Sequence, residues 1–213
     1  MILISKTFPK TAAYFVENKK RLEDREKGKG RGAHWYGYIY LKNMTRQSVE
    51  KLCIPRLVDK LYATYDIEGI HFLDNVDVGG ITLKSKYQNQ RLVYLLGLLN
   101  SKLLRWYFPF VSAPFRGGWM SANRQFLSQL PIRIINFSDS TDKSCHEKIV
   151  KLVEQMLSFH KQLTLARTPD DKTRIQRQID ATDQQIDSLV YELYRLTKEE
   201  IRIVEEGTAR ETN

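Results

Sequence analysis

The chain has 213 residues, of which 42% are hydrophobic and 28% are charged. This mixture can bury a core and argues against wholesale disorder. The longest apolar runs, such as Leu95–Leu99, are too short for a membrane span, and no signal peptide follows Met1. Cys53 and Cys145 have neither paired nor zinc-ligand spacing, so we expect no disulfide scaffold and no structural metal site. These features predict a soluble, cytoplasmic protein.

The charge of the chain is strongly basic and unevenly distributed. The sequence has 34 Lys and Arg against 25 Asp and Glu, a net charge of +9. Residues 1–60 carry fourteen basic and six acidic side chains, whereas residues 141–213 carry twelve and fourteen. This asymmetry predicts a polyanionic partner for the first part of the chain and a different role for the last third. A solvated basic surface without a partner is the alternative.

The N-terminal region has the pattern of a helix followed by a loop and a strand. The spacing of apolar residues predicts an amphipathic helix from Pro9 to about Lys27. The glycine-rich, basic run Gly28–Gly32 ends it. Aromatic and β-branched residues over 35–40 predict a strand, in which Tyr38 and Tyr40 would pack into the core.

The middle of the chain alternates short strands with turns and contains one buried helix. Strands are predicted at residues 52–58, 61–65, 70–73, 81–84 and 131–135. Leucines spaced by three and four residues predict a buried helix from Asn89 to about Phe108, ended by Pro109, with Trp106 in the core. After the loop Phe115–Met120, Ser121 is expected to cap a short helix that runs to Gln129.

The last third has an apolar seam of heptad type. Apolar residues recur at steps of three and four from Ile149 to Leu163 and again from Ile175 to Leu196, on either side of a break at residues 168–170. This pattern predicts two long helices in an antiparallel hairpin. Thr197 and Glu200 form a capping-box pair for a final helix.

Together these elements predict an α+β fold. A body with a small mixed or antiparallel sheet and packed helices would occupy residues 1–140. A long antiparallel, coiled-coil-like helical hairpin would occupy residues 141–213.

The sequence carries no motif for catalysis on DNA. Its six prolines are never adjacent, which excludes the Asn/Asp-Pro-Pro-aromatic loop of adenine-N6 methyltransferases, and no glycine-rich cofactor loop follows a strand. The string Asp170-Asp171-Lys172 resembles part of a nuclease motif, but its place in a helical turn favours helix capping. The four histidines have no triad or zinc spacing. We therefore expect no enzyme activity, no metal and no cofactor in this chain.

Two loops have the composition of a nucleic-acid contact. The side chains around the Gly117-Gly118 turn have the chemistry of base readout, because arginine pairs with guanine and asparagine with adenine. The predicted base-reading residues are Arg116, Trp119, Asn123 and Arg124. Mobile cations neutralise phosphates, so backbone contacts are predicted for Lys27, Lys29, Arg31, Lys84 and Lys86.

Several segments resemble a known family. "IHFLDNVDVGGITL" (70–83), "LVYLLGLLNSKLLRWYF" (92–108) and "FRGGWMSANRQFLSQLPI" (115–132) are similar to the TaqI-like C-terminal specificity domain. "PKTAAYFVENKKRLEDRE" (9–26) and "WYGYIY" (35–40) resemble the beginning of the same module. The segments 149–163 and 174–206 resemble the helical spacer that closes such chains, and also the helices of type I restriction specificity subunits.

This resemblance implies sequence-specific binding of double-stranded DNA, as the target recognition domain of an adenine-N6 DNA methyltransferase or type II restriction enzyme. The methyltransferase part is missing, so the chain would be a fragment, an orphan or a separate specificity subunit. S-adenosylmethionine would then bind only a partner methyltransferase or restriction domain. The hairpin would dock that partner, or a second copy in a homodimer, without any membrane. A protein-interaction scaffold assembled through the hairpin is the alternative function.

Overall fold

A computed structural model describes residues 2–40, 47–73 and 80–209. Internal contacts divide the chain into two compact units, residues 1–45 and 46–213. The functional division between residues 1–140 and 141–213 stays a prediction.

The described part of the first unit contains four short helices, and the last three of them occupy the region predicted to be one long helix. The chain departs from the helix at Asn18 and at Asp24, and Glu26 and Lys27 adopt left-handed φ values of 48° and 59°. Pro9 occupies the first turn of its helix, where a missing N–H is harmless, as predicted. The helices are α1 (Ile2–Thr7), α2 (Pro9–Glu17), α3 (Lys19–Glu23) and α4 (Arg25–Gly28).

The predicted strand over residues 35–40 is wrong, because this segment forms turns. The Arg25 guanidinium donates to the carbonyl oxygens of Trp35 (2.8 Å) and Gly37 (3.0 Å), so a side chain replaces the neighbouring strand as hydrogen-bond partner. Tyr38 and Tyr40 are exposed, which corrects the expectation that they pack in the core.

The second unit begins with two small antiparallel sheets. The predicted strand 52–58 is two strands, since the chain bends at Pro55 and sends each half to a different partner. In the first sheet Leu52 lies opposite Tyr65, and in the second Val58 lies opposite Met120. The strands are β1 (Lys51–Cys53), β2 (Leu57–Val58), β3 (Thr64–Asp66) and β4 (Met120–Ser121).

Three further strand predictions are wrong: residues 70–73 and 131–135 are irregular, and of residues 81–84 only Ile81 forms an isolated bridge. In residues 131–135, the Tyr194 hydroxyl accepts from the Arg133 N–H (3.1 Å) and donates to the Pro131 carbonyl (2.6 Å). The Tyr94 hydroxyl donates to the Arg133 carbonyl (2.8 Å). Two tyrosines therefore satisfy the backbone groups that a strand would have paired.

The predicted buried helix is interrupted at Ser101, which gives α5 (Leu92–Asn100) and α6 (Lys102–Val111). Ser101 caps α6 by accepting from the Leu104 N–H. Pro109 lies inside the last turn of α6 and does not end it. Trp106 is half-buried against the core. The core residues with 0% exposure are Leu52, Val58, Leu61, Leu98, Leu104, Phe108, Ala122, Ile149 and Val190.

The C-terminal helical hairpin is confirmed. Its helices, α8 (Ser140–Leu165) and α9 (Pro169–Tyr194), run antiparallel, with the Cys145 thiol near the start of α8 beside the Leu189 carbonyl near the end of α9. Asp139 and Thr168 cap them. The Thr197–Glu200 capping box starts α10 (Lys198–Ala209). On α9 most of the predicted seam is buried (Ile175, Ile179, Thr182, Ile186 and Leu193), but Leu189 is half-buried and Val190 and Tyr191 are buried in addition. On α8 only Ile149 of the predicted seam is buried, and the neighbouring Cys145, Val150 and Val153 provide the rest of the buried apolar face.

The chain therefore has the predicted α+β fold, with small antiparallel sheets and long C-terminal helices. Helix α5 packs on α8. This close approach needs Gly97, because an added Cβ would lie 2.8 Å from Val153. None of the helices in the described part of the chain is long and apolar enough to cross a membrane.

Candidate nucleic-acid interface

A small hairpin, residues 113–121, carries part of the predicted site, and we call it the tip hairpin. Its two arms are joined by hydrogen bonds from Phe115 N–H to the Trp119 carbonyl (2.6 Å) and from Ser121 N–H to the Ala113 carbonyl (3.0 Å). The turn between them depends on Gly117 and Gly118, whose φ values of 72° and 81° disfavour other residues.

The base of the tip hairpin is fixed to the core. Its strand β4 pairs with β2, the Ala122 N–H donates to the Arg56 carbonyl (2.7 Å), and the Ser112 hydroxyl donates to the Ser121 carbonyl (2.8 Å). Ala122 and Val58 are fully buried. The turn is thus presented on a rigid support, which base discrimination requires.

Helix α7 (Arg124–Leu127) follows the tip hairpin directly and positions the rest of the predicted base-reading group. Its N-cap is Asn123, not the expected Ser121, and the Asn123 side-chain oxygen accepts from the Gln125 N–H (3.0 Å). Arg116, Trp119 and Arg124 are exposed. The structure thus places these residues on consecutive elements, with the Asn123 carboxamide oxygen already engaged as a helix cap.

A long acid-free stretch surrounds this site. Residues 78–138 contain eight Lys and Arg and no Asp or Glu. This signal is visible in the sequence, because the five acidic residues of 61–140 all lie outside the stretch.

The fold divides these eight cations into two groups. Arg91 pairs with Glu154 (2.7 Å), Lys102 pairs with Glu205 (2.7 Å), and Arg133 pairs with Asp142 (3.2 Å). Arg105 donates to the Leu61 carbonyl (3.3 Å). Within the described residues, no ion pair or hydrogen bond engages the charged groups of the other four, Lys84, Lys86, Arg116 and Arg124.

These four are the cations of the second unit that the sequence singled out. Lys84 and Lys86 lie at a 3₁₀ turn (Ser85–Tyr87) before α5, where the Lys86 ammonium stands over the Tyr87 ring, 4.7 Å from its centroid. A cation without a carboxylate partner keeps its full charge for an external anion.

In the first unit, the three predicted phosphate contacts have different surroundings. The Lys29 ammonium donates to the Tyr40 hydroxyl (2.9 Å), which raises the pKa of Lys29 and keeps it charged. Arg31 forms an exposed ion pair with Asp24 (2.9 Å). Lys27 is exposed at a left-handed position, and among the described residues it has no ion-pair partner.

Residues 5–132 match the family described as the TaqI-like C-terminal specificity domain. The chain belongs to this family. All nine predicted DNA-contact residues lie inside the matched range. The family is that of a specificity domain and not of a catalytic domain, which confirms the resemblance seen in the sequence.

A curated protein from Escherichia coli, "Type II restriction enzyme and methyltransferase RM.Eco57I", is 24% identical to this chain over 200 residues. The alignment covers 91% of this chain and 20% of the relative. The chain thus spans about a fifth of the length of the curated relative that it matches.

The specificity domain also contains a buried ionic cluster that the sequence did not reveal. Lys51 and Asp66 are 1% and 4% exposed, and the Lys51 ammonium lies 2.5 Å from the Asp66 carboxylate. Burial raises the pKa of Asp66, but hydrogen bonds from Lys51 and His71 outweigh it and hold that pKa below its usual range. Asp66 also accepts from the Ile70 and His71 N–H groups, so the cluster orders this loop.

The structure offers little that is typical of a metal or nuclease site. Among the described residues, no group of three or more His, Cys, Asp or Glu side chains could hold a metal ion. Asp170 and Asp171 lie in the first turn of α9, where Asp171 accepts from the Thr168 hydroxyl (2.7 Å) and pairs with Arg174 (3.1 Å). Both carboxylates therefore stabilise the N-terminus of the helix.

Proposed function

We propose that this chain recognises a specific sequence in duplex DNA, as the target recognition part of a restriction-modification system. Methyl transfer or cleavage would be carried out by a separate domain or subunit. S-adenosylmethionine would bind there and not to this chain. The family assignment and the RM.Eco57I similarity support this role.

The observation that carries the proposal is the selective pairing of cations. Four of the eight basic side chains in an acid-free stretch have no ion pair or hydrogen bond among the described residues, and two of those four are arginines on or beside the rigid tip hairpin. Arginine held on a rigid element can form the paired hydrogen bonds that identify guanine in the major groove.

The proposed roles follow from these surroundings. Arg116, Trp119 and Arg124 contact bases, and Asn123 acts mainly by fixing the start of α7, because its oxygen already caps that helix. Lys27, Lys29, Lys84 and Lys86 contact phosphates, whereas Arg31 contributes less since Asp24 already neutralises it.

The alternative function, a protein-interaction scaffold assembled through the C-terminal hairpin, loses its main support. An assembly through the heptad seam needs exposed apolar positions, but Ile175, Ile179 and Ile186 are buried within the chain itself. The hairpin could dock a partner only through its outer, polar faces.

The test is selection of bound sites from a random duplex pool, followed by binding measurements on the selected and on random duplex. Arg116→Ala and Arg124→Ala should each lose about 1–3 kcal/mol on the selected site and little on random duplex. Arg91→Ala is the matched control, because this arginine lies in the same stretch but is paired with Glu154. Equal losses on both duplexes, or enrichment of no sequence, would contradict the proposal.

A further inference from the structure

The tip hairpin exposes two large aromatic side chains beside its turn. Phe115 and Trp119 lie at opposite positions of the hairpin and are 55% and 44% exposed. Rings of this size are usually buried on folding, and the exposure of two of them at one turn is typical of a contact surface.

The support under these rings is stiff. The arms are paired up to Phe115 and Trp119, and the base of the hairpin is bonded to β2 and to the end of α6. A ring on a stiff support can transmit force to a ligand, whereas a mobile loop would bend away.

The charge around the rings selects the kind of ligand. The flanking sequence from residue 78 to residue 138 has no acidic side chain, and Arg116, which follows Phe115 in the turn, has no carboxylate partner among the described residues. Exposed aromatics among unpaired arginines fit a nucleic acid, which offers flat bases next to phosphates. A protein surface would have to bring its own acidic groups.

We propose that Phe115 is a wedge that inserts between two stacked base pairs and kinks the bound duplex. Phe115 is the more exposed ring and is apolar throughout, while the Trp119 indole has an N–H that needs a polar partner. Gly117 and Gly118 add no side chain to the turn, so its backbone can enter a groove beside the ring. Opening a base step lets the protein sense how easily a sequence deforms, at positions that it does not contact.

This inference rests on the proposed DNA binding. The experiment uses the full chain and a short duplex that carries the selected site, with fluorescent dyes at both ends to report bending by energy transfer. The wild-type chain should bend this duplex by about 20–90°. Phe115→Ala should leave it straight and bind about tenfold more weakly.

Two variants sharpen the result. Phe115→Leu should restore the bend, because leucine also serves as a wedge. Phe110→Ala removes another exposed ring, on α6 outside the tip hairpin, and should bend DNA like the wild type. If Phe115→Ala fails to fold, a second measurement takes its place, in which 2-aminopurine is put at successive positions of the site in the wild-type complex. The fluorescence of 2-aminopurine should rise at the one base step that the ring opens.

The outcomes separate the two proposals. Sequence-selective binding with equal bending by the wild type and Phe115→Ala, or no rise of 2-aminopurine fluorescence at any step, overturns the wedge alone. The same holds if Phe115→Ala changes only self-association of the chain. Failure of the wild type to select any duplex overturns the proposed function as well.

Discussion

The salt dependence of DNA affinity should be set by those cations that have no ion-pair partner in the fold. Each cation that neutralises a phosphate contributes about 0.9 to the slope of log affinity against log salt. Lys84 and Lys86 are the proposed phosphate contacts of the second unit and have no carboxylate partner among the described residues, so together they should contribute about 1.8. Between 50 and 200 mM salt this corresponds to an affinity loss of about 12-fold.

The assay is fluorescence anisotropy of a labelled random duplex over a range of salt concentrations, with each cation changed to Gln in turn. Lys84→Gln and Lys86→Gln should each lower the slope by about 0.9. Arg91→Gln should lower it much less, because the Arg91 guanidinium already pairs with Glu154 at 2.7 Å. The reasoning is refuted if Arg91→Gln flattens the slope as much as Lys86→Gln does.

Three other expectations concern catalysis, packing and pH. The purified chain should transfer no labelled methyl group from S-adenosylmethionine to DNA and should not cleave it; incorporation above background would contradict this. Changing Ile179 and Ile186 together to Asp should lower the stability of the fold by several kcal/mol, because both are buried in the seam. The control changes the exposed residues Gln178 and Gln185 to Asp, and this double variant should melt at the same temperature as the wild type. Equal melting temperatures of the two double variants would show that the seam is misplaced. Burial raises the pKa of Asp187 to about 6. Between about pH 4 and pH 6 the folded chain therefore holds a proton that the unfolded chain has released. The free energy of unfolding should fall by up to about 2–3 kcal/mol as the pH rises through this window. The free energy of unfolding of Asp187→Asn, measured in urea, should show no such dependence on pH. An unchanged pH dependence would mean that another group causes it.

The features that the sequence predicts well are those with a local cause. The α9 part of the heptad seam and the Thr197–Glu200 capping box depend on residues three and four positions apart, and both were confirmed. On α8 the buried face lies beside the predicted seam, which was correct there only at Ile149. The exposed Arg116 of the tip hairpin was also identifiable, because the glycine pair marks a surface turn.

Three of the four failed strand predictions share a physical cause. In residues 70–73 the Ile70 and His71 N–H groups bind the Asp66 carboxylate, and the Leu73 N–H binds the Gln47 side chain. Residues 35–40 and 131–135 likewise use distant arginine and tyrosine side chains. Composition favours a strand in each segment, but only the tertiary structure shows that side chains take the place of a neighbouring strand.

The break at Ser101 has a similar origin. The leucine spacing continues through this residue, so periodicity alone predicts one helix. The Asn100 side chain instead binds both backbone groups of Ala63, and the Asp187 carboxylate accepts from the Lys102 N–H (2.9 Å). Asp187 is 85 residues away in sequence, and no local pattern could show its effect.

The ion pairs that neutralise Arg91, Lys102 and Arg133 all use acids from helices α8, α9 and α10. In the proposed DNA complex, the C-terminal helices would therefore compete with DNA, because they occupy cations that would otherwise hold any duplex regardless of sequence. Loss of one such acid, as in Glu154→Gln, would unmask a cation far from the tip hairpin. It would lengthen pauses on random DNA and slow the search for a target, while base reading stayed intact. Selectivity in this chain would thus be open to evolutionary change through residues that never touch DNA.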